Sequence, residues 1–256
     1  MNIVKKIFAV VSLFAFLTAA FVFGGNIDNK VFAANKVLKV GVNIGYVPFE
    51  FKTDNRTELQ GFDIDLIKAV AEKMNCRVEF SDYVFDDLIT ALNKNEVDVI
   101  ISAITITGER KAQISFSEPY FNSGLARAAN SNSKINSLSD LEGKTIFVEK
   151  GTTGADIAKK VKNANVLEFD NLMDKFLIIN YWNDSALITD RPVIEYVLSS
   201  DKNINSVKIV GKNLTDEEYG IGIRKSDTKL QQEINNALKN LKNSGEYNKI
   251  YNKWFK

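Results

Sequence analysis

Two oppositely charged residues, Arg110 and Asp190, stand where the sequence pattern could turn them toward a common space. Arg110 follows the apolar run 97–101 and the threonine-rich turn Thr105-Ile106-Thr107-Gly108. A guanidinium there can hold a carboxylate through two parallel hydrogen bonds, although an arginine beside Glu109 and Lys111 also reads as a solvated surface charge. Asp190 closes a second apolar run, 186–189. Its carboxylate can pair with an ammonium, or cap the helix that Pro192 opens. Between them lies Gly151-Thr152-Thr153-Gly154, a turn from a strand into a helix. Free N–H groups at such a point favour an anion; the plainer reading is a cap, Thr153 with Asp156 three residues on. Glu149, just before this turn, either faces the same space, where it would favour a cationic or hydrogen-bond-donating group, or is a solvated strand-end carboxylate. A cation and an anion set to meet one small molecule suit a zwitterion, which needs both its charges neutralised out of water.

Composition removes several other chemistries. There is no histidine, so the usual general base and the commonest metal ligand are missing. Cys76 is the only cysteine, which excludes an internal disulfide and a thiolate zinc site; it is expected to be buried. Thirty-three basic residues against 32 acidic ones give a net charge of +1, with no bulk field for nucleic acid. No metal and no cofactor is expected.

The elements that must hold these groups follow from periodicity. Residues 37–42 form a β-rich run, and Gly61-Phe62-Asp63 opens a helix with Ile64, Ile67, Ala71 and Met74 on one face and Asp63 as its N-cap. Strands are predicted at 77–80 and 97–101, with a helix at 85–92 between them. This alternation predicts a parallel sheet covered by helices. The rhythm repeats after the polar stretch 130–140, with strands at 145–149, 186–189, 207–210 and 219–224. Helices are predicted at 155–161, 171–180, 192–198, 228–243 and 246–255. Phe49, Phe51, Phe62 and Phe80 are expected in the core. Two α/β units predict two lobes with a cleft between them.

Residues 1–34 read as a separate leader. Lys5 and Lys6 precede an apolar run, 7–23, and Val31-Phe32-Ala33 offers a cleavage site before Ala34. A retained anchor is the alternative. Either way the remainder is expected outside the cytoplasm, periplasmic or secreted. No cysteine after the apolar run could carry a lipid.

A series of motifs is more specific than any one of them. It runs from Tyr46-Val47-Pro48-Phe49-Glu50-Phe51 through Gly61-Phe62-Asp63-Ile64-Asp65-Leu66 to Thr105–Lys111. Phe116-Ser117-Glu118-Pro119-Tyr120-Phe121, Asp140–Lys144, Gly151–Gly154, Asp190-Arg191-Pro192-Val193 and Tyr219-Gly220-Ile221-Gly222 follow in order. This resembles the bacterial extracellular solute-binding proteins, family 3, which bind polar amino acids for ABC importers. The resemblance covers nearly all of residues 36–256. It implies the two-lobed periplasmic-binding-protein fold (type II), with two α/β lobes joined by two crossover strands. Residues 36–124 and 220–256 would form the N-terminal lobe and 125–219 the C-terminal lobe.

The resemblance also implies roles. Arg110 would anchor the ligand carboxylate, with an N–H and hydroxyl from Thr105 and an N–H from Thr153 from the opposite lobe. Asp190 would hold the ammonium, with backbone carbonyls from Ser102 and Ala103. Tyr46 and Phe85 would wall the ligand side chain. Asn43 stands where an acidic residue is common among relatives that bind basic or amide side chains, and Thr189 is a further candidate wall. The run 180–186 departs from the family's usual turn before Asp190, and Trp182 on it is a surface aromatic or a partner contact. The implied function is binding of a free amino acid by hinge closure, without catalysis, and delivery by a monomer to a membrane permease. Two alternatives are an exported dehydratase acting on prephenate- or arogenate-like acids, with Glu149 as general acid, and a ligand-sensing module.

Overall fold

The computed structural model describes residues 36–52 and 58–256; the predicted leader lies outside them. Strand β1 (Lys36–Val42) is followed by α1 (Phe62–Lys73) and β2 (Cys76–Asp82). A 3-10 turn at Phe85–Asp87 runs into α2 (Leu88–Asn93), and β3 (Val99–Ile100), α3 (Gly108–Gln113), β4 (Ser115–Phe116) and β5 (Phe121–Ser123) follow. The middle of the chain supplies β6 (Leu125–Asn130), β7 (Thr145–Glu149), α4 (Thr153–Ala158), β8 (Asn165–Phe169) and α5 (Lys175–Tyr181). Then come β9 (Ser185–Asp190), α6 (Arg191–Ser200) and β10 (Val207–Val210). The chain ends with β11 (Glu217–Tyr219), β12 (Gly222–Ile223), α7 (Thr228–Ser244) and α8 (Glu246–Phe255).

These strands make two five-stranded sheets, ordered β2-β1-β3-β12-β4 and β10-β6-β9-β7-β8, and the pair β11-β5. The fold is the α/β, type II periplasmic-binding architecture. The sheets are mixed rather than parallel as the alternation predicts. In the first, β12 returns from the far end of the chain and lies antiparallel to both β3 and β4. In the second, β6 alone runs against the rest: it is antiparallel to its neighbours β9 and β10, while β7 pairs in parallel with β8 and β9. The two strands that bring the chain into the other sheet, β6 and β12, thus each run against both of their neighbours.

The pattern of burial explains which elements hold firm. In α7, Ile234, Ala237, Leu238 and Leu241 recur at helical spacing and are buried, and Gly245, at φ 77°, ends the helix. Phe62 is fully buried, with its ring 5.3 Å from that of Phe255 and 5.5 Å from Phe121. Phe121 on β5 stacks on Tyr219 on β11 at 5.5 Å. The strand pair between the sheets is thereby fixed to the core of the first sheet by aromatic contact. Phe49 and Phe51 are buried as expected, but Phe80 is only partly so, because β2 is the outermost strand. Asp63 does not cap α1. Gly61 holds the cap position and Asp63 is fully buried, facing inward. The helix predicted at 171–180 starts only at Lys175. Among the described residues no helix is long and apolar enough to cross a membrane.

Gly61 has φ 136°, and a side chain there would overlap the Phe49 carbonyl oxygen. Gly108, in the first turn of α3, meets nothing. Gly61→Ala should therefore cost about 2 kcal/mol or more, whereas Gly108→Ala should be neutral or stabilise by up to about 1 kcal/mol. Urea unfolding midpoints would compare the two.

Candidate functional site

At the end of β3 the chain turns through Ser102 and Ala103, the latter at φ 47°. The Asp63 carboxylate fixes this strained turn, accepting the Ala103 N–H at 2.7 Å and the Tyr120 hydroxyl at 2.8 Å. Ser102 accepts the Asn43 N–H at 3.0 Å and donates to Glu50 at 2.6 Å. The Asn43 side chain donates to the Tyr83 carbonyl at 2.8 Å. Two turns later α3 begins, capped by Thr107, whose hydroxyl accepts the Arg110 N–H at 3.1 Å. The Arg110 guanidinium, 9% exposed, donates to the carbonyls of Thr105 at 2.9 Å and Gly151 at 3.0 Å. It lies 5.2 Å from the centre of the Phe85 ring. Burial lowers its pKa, opposed first by Glu217 and then by Asp156 and Asp190.

The other side of the site comes from the second sheet. β7 ends at Glu149, and α4 starts two residues past Gly151. The helix cap is Thr152, not Thr153: the Thr152 hydroxyl accepts the Ala155 N–H at 3.2 Å and donates to the Glu149 carbonyl at 2.7 Å. The Thr153 hydroxyl donates instead to Glu217 at 3.0 Å, and that of Thr105 reaches the same carboxylate oxygen at 2.7 Å. Asp190 ends β9 at the head of α6, yet makes no side-chain cap. Its carboxylate accepts from Tyr46 at 2.6 Å and Ser123 at 2.8 Å. Tyr46 therefore does more than form a wall, since its hydroxyl also meets that of Thr189 at 2.9 Å.

A narrow cavity lies between these groups. Of the eleven residues predicted from the sequence, all but Thr189 border it. Thr189 stands behind, joined to Tyr46. Two further residues line the cavity, Glu50 and Thr152. Glu50 is buried within an otherwise aromatic segment, and only its charge among those rings signals a role. A wider space is lined by Arg110 and Phe85 as well, with Asp86, Glu109 and Asp156 on its wall.

The electrostatics are lopsided, with one guanidinium against several carboxyls. Burial pushes Glu149 up to about 8, helped by Asp190 and Asp170. Burial raises Asp63 to about 7, against hydrogen bonds from Ala103 and Tyr120. Glu50 is raised well above the carboxylate range by burial and by Asp63. Asp190 is raised by burial, restrained by the hydroxyls around it.

Residues 38–256 match the model for bacterial extracellular solute-binding proteins, family 3. The chain belongs to that family. It is 33% identical to the glutamine-binding protein of an ABC transporter from Bacillus subtilis (strain 168), over 98% of each chain. An ancestral arginine-binding protein bound to arginine is 41% identical, with a TM-score of 0.81 over 87% of this chain and 100% of the other. An ancestral amino acid-binding protein described as a precursor of cyclohexadienyl dehydratase is 37% identical, with a TM-score of 0.78 over 86% and 96%. The family's motif order, read from the sequence, thus carries over to fold and membership together.

Because the folded protein holds the Glu149 proton to about pH 8, whereas an exposed glutamate loses it near 4.5, this group makes stability fall as pH rises through that window. Glu149→Gln should remove its share of the decline. In thermal melts of ligand-free protein, the variant should gain on the wild type between pH 5 and pH 8.5. An unchanged difference across that range would show that Glu149 does not titrate as a buried acid.

Proposed function

We propose that this protein is a transport receptor, which closes around one free amino acid outside the cytoplasm and passes it to the permease of an ABC importer. One observation carries the reading: Arg110, on α3 after β3 of the first sheet, and Asp190, at the end of β9 of the second, are more than nine-tenths buried and border the same small cavity. Arg110, with the N–H groups of Thr105 and Thr153, takes the ligand carboxylate. Asp190, with the carbonyls of Ser102 and Ala103, takes the ammonium. Only a molecule carrying both charges satisfies both, so ligand binding favours the closed arrangement over the open one. The lobes are residues 36–124 with 220–256, and residues 125–219, hinged at β5 and β11. Residues 1–34 are the leader, and the receptor acts as a monomer.

The side chain recognised is one that donates hydrogen bonds, preferably a cation. Glu149 is 4% exposed, borders the cavity and has no hydrogen-bond donor at its carboxyl among the described residues. Asn43 and Glu50 add acceptors on the same wall, and Phe85 and Tyr46 pack against the aliphatic part. The wider space outside is rimmed by carboxylates, which attract cations toward the entrance. The names of the relatives fit, since glutamine and arginine both end in N–H donors.

A second reading has one observation in its favour. A glutamic acid protonated at neutral pH in a cleft can serve as a general acid, as a dehydratase acting on a cyclohexadiene acid would need.

A thermal-shift and calorimetry panel of amino acids separates the two. Arginine, lysine, histidine or glutamine should raise the melting temperature, corresponding to about 2.7 kcal/mol at a hundredfold excess over Kd. Arg110→Ala and Asp190→Asn should each weaken binding at least about 30-fold while leaving the unliganded melt near wild type. No stabilising amino acid, together with turnover of prephenate or arogenate, would replace the receptor by the enzyme.

A further inference from the structure

Glu217 stands on β11 opposite Ser123, in the strand pair that links the two sheets. One carboxylate oxygen accepts from Thr105 at 2.7 Å and from Thr153 at 3.0 Å, and the other from Thr215 at 3.0 Å. Thr105 follows β3, on one side of the cavity, and Thr153 opens α4, on the other. A single carboxylate on the linking strand therefore ties together a hydroxyl from each side. Backbone contacts seat the same stretch, with the Ile106 N–H on the Glu218 carbonyl at 2.8 Å and Thr105 bridged to Tyr219. Glu217 is also the foremost of the carboxylates that support the buried charge of Arg110.

The hydroxyl geometry restricts what the two threonines can offer a ligand. Each hydroxyl has one proton, and both protons are committed to Glu217. Thr105 and Thr153 are left to meet an anion through backbone N–H groups, which a side-chain rotation cannot withdraw. The N–H of Thr153, in the first turn of α4, has no partner within the helix.

We propose that Glu217 is the positioning residue of this site: it fixes Thr105 and Thr153 with their N–H groups toward the cavity, and it latches the two sides together at the linking strands. Opening the cleft carries Thr153 away from Thr105, so one of the two bonds to the shared oxygen must break. A charge-assisted hydrogen bond of this kind resists that step.

Two measurements on the full mature chain test the latch. The affinity measurement rests on the cavity being the amino-acid site proposed above, and the scattering measurement does not. Glu217→Ala and Thr153→Val should each weaken amino-acid binding about tenfold, mainly through faster dissociation. The double variant should be no weaker than the worse single one, because both substitutions delete one contact. Effects that simply multiply would overturn the proposal, since a fold defect in Glu217→Ala would add to the loss of Thr153. Small-angle scattering of ligand-free protein should give a larger radius of gyration for both variants than for the wild type, and identical curves would overturn the latch. If no amino acid binds the wild type while the scattering difference is present, the receptor reading falls and the latch stands.

Discussion

A buried guanidinium is the constraint around which this site is built. Arg110 is almost wholly withdrawn from water, and an unsolvated cation must find acceptors or destabilise the fold. It finds the Thr105 carbonyl beside it and the Gly151 carbonyl across the cavity. The Phe85 ring takes one face, and Glu217, Asp156 and Asp190 supply the compensating field. None of these partners is local except Thr105. Satisfying one arginine therefore requires the two sheets to approach, the β5–β11 pair to hold them in register, and the turn after β7 to present a carbonyl rather than a side chain.

The second requirement is that the walls not yield. The Ser102–Ala103 turn is held in a left-handed conformation by Asp63, which is itself fixed by Tyr120. Behind that carboxylate lies the aromatic group of Phe62, Phe121, Tyr219 and Phe255, contributed by α1, both linking strands and the last helix. The end of the chain thus supports the site although no residue beyond Asp190 lines the cavity.

Much of this was legible in the sequence, and the gaps have physical reasons. The helices at 228–244 and 246–255 were readable because one apolar face repeats at helical spacing. Asp190 was readable as a strand-end carboxylate, and the unusual 180–186 run did not prevent β9 from delivering it to the cavity. The sense of β6 and β12 was not readable, because strand direction across a crossover depends on pairings with strands far along the chain. Thr152 and Thr153 could not be told apart, since either hydroxyl suits a cap and only the turn geometry decides between them. Asp63 looked like a cap because a carboxylate at a helix start usually is one; burial under Tyr120 gave it a different task. Glu50 and Glu217 carry no local signal for a different reason. Their partners lie 52 and up to 112 residues away, beyond any local pattern.

The excess of acid over base then bears on selectivity. With burial raising Glu149 to about 8, the cavity at neutral pH lowers its charge by retaining that proton. A ligand with an apolar side chain would leave Glu149 protonated, with its polar group facing hydrocarbon and unpaired, at a cost comparable to a lost hydrogen bond. A neutral amide can accept and donate without altering that protonation. A cationic side chain in the proposed receptor would do more: it would make the ionised carboxylate favourable again, so that its binding would expel the Glu149 proton and replace it by an ion pair. Discrimination on this basis rests on the free energy of desolvated charge rather than on cavity shape, and it is strongest between ligands of similar size that differ in charge.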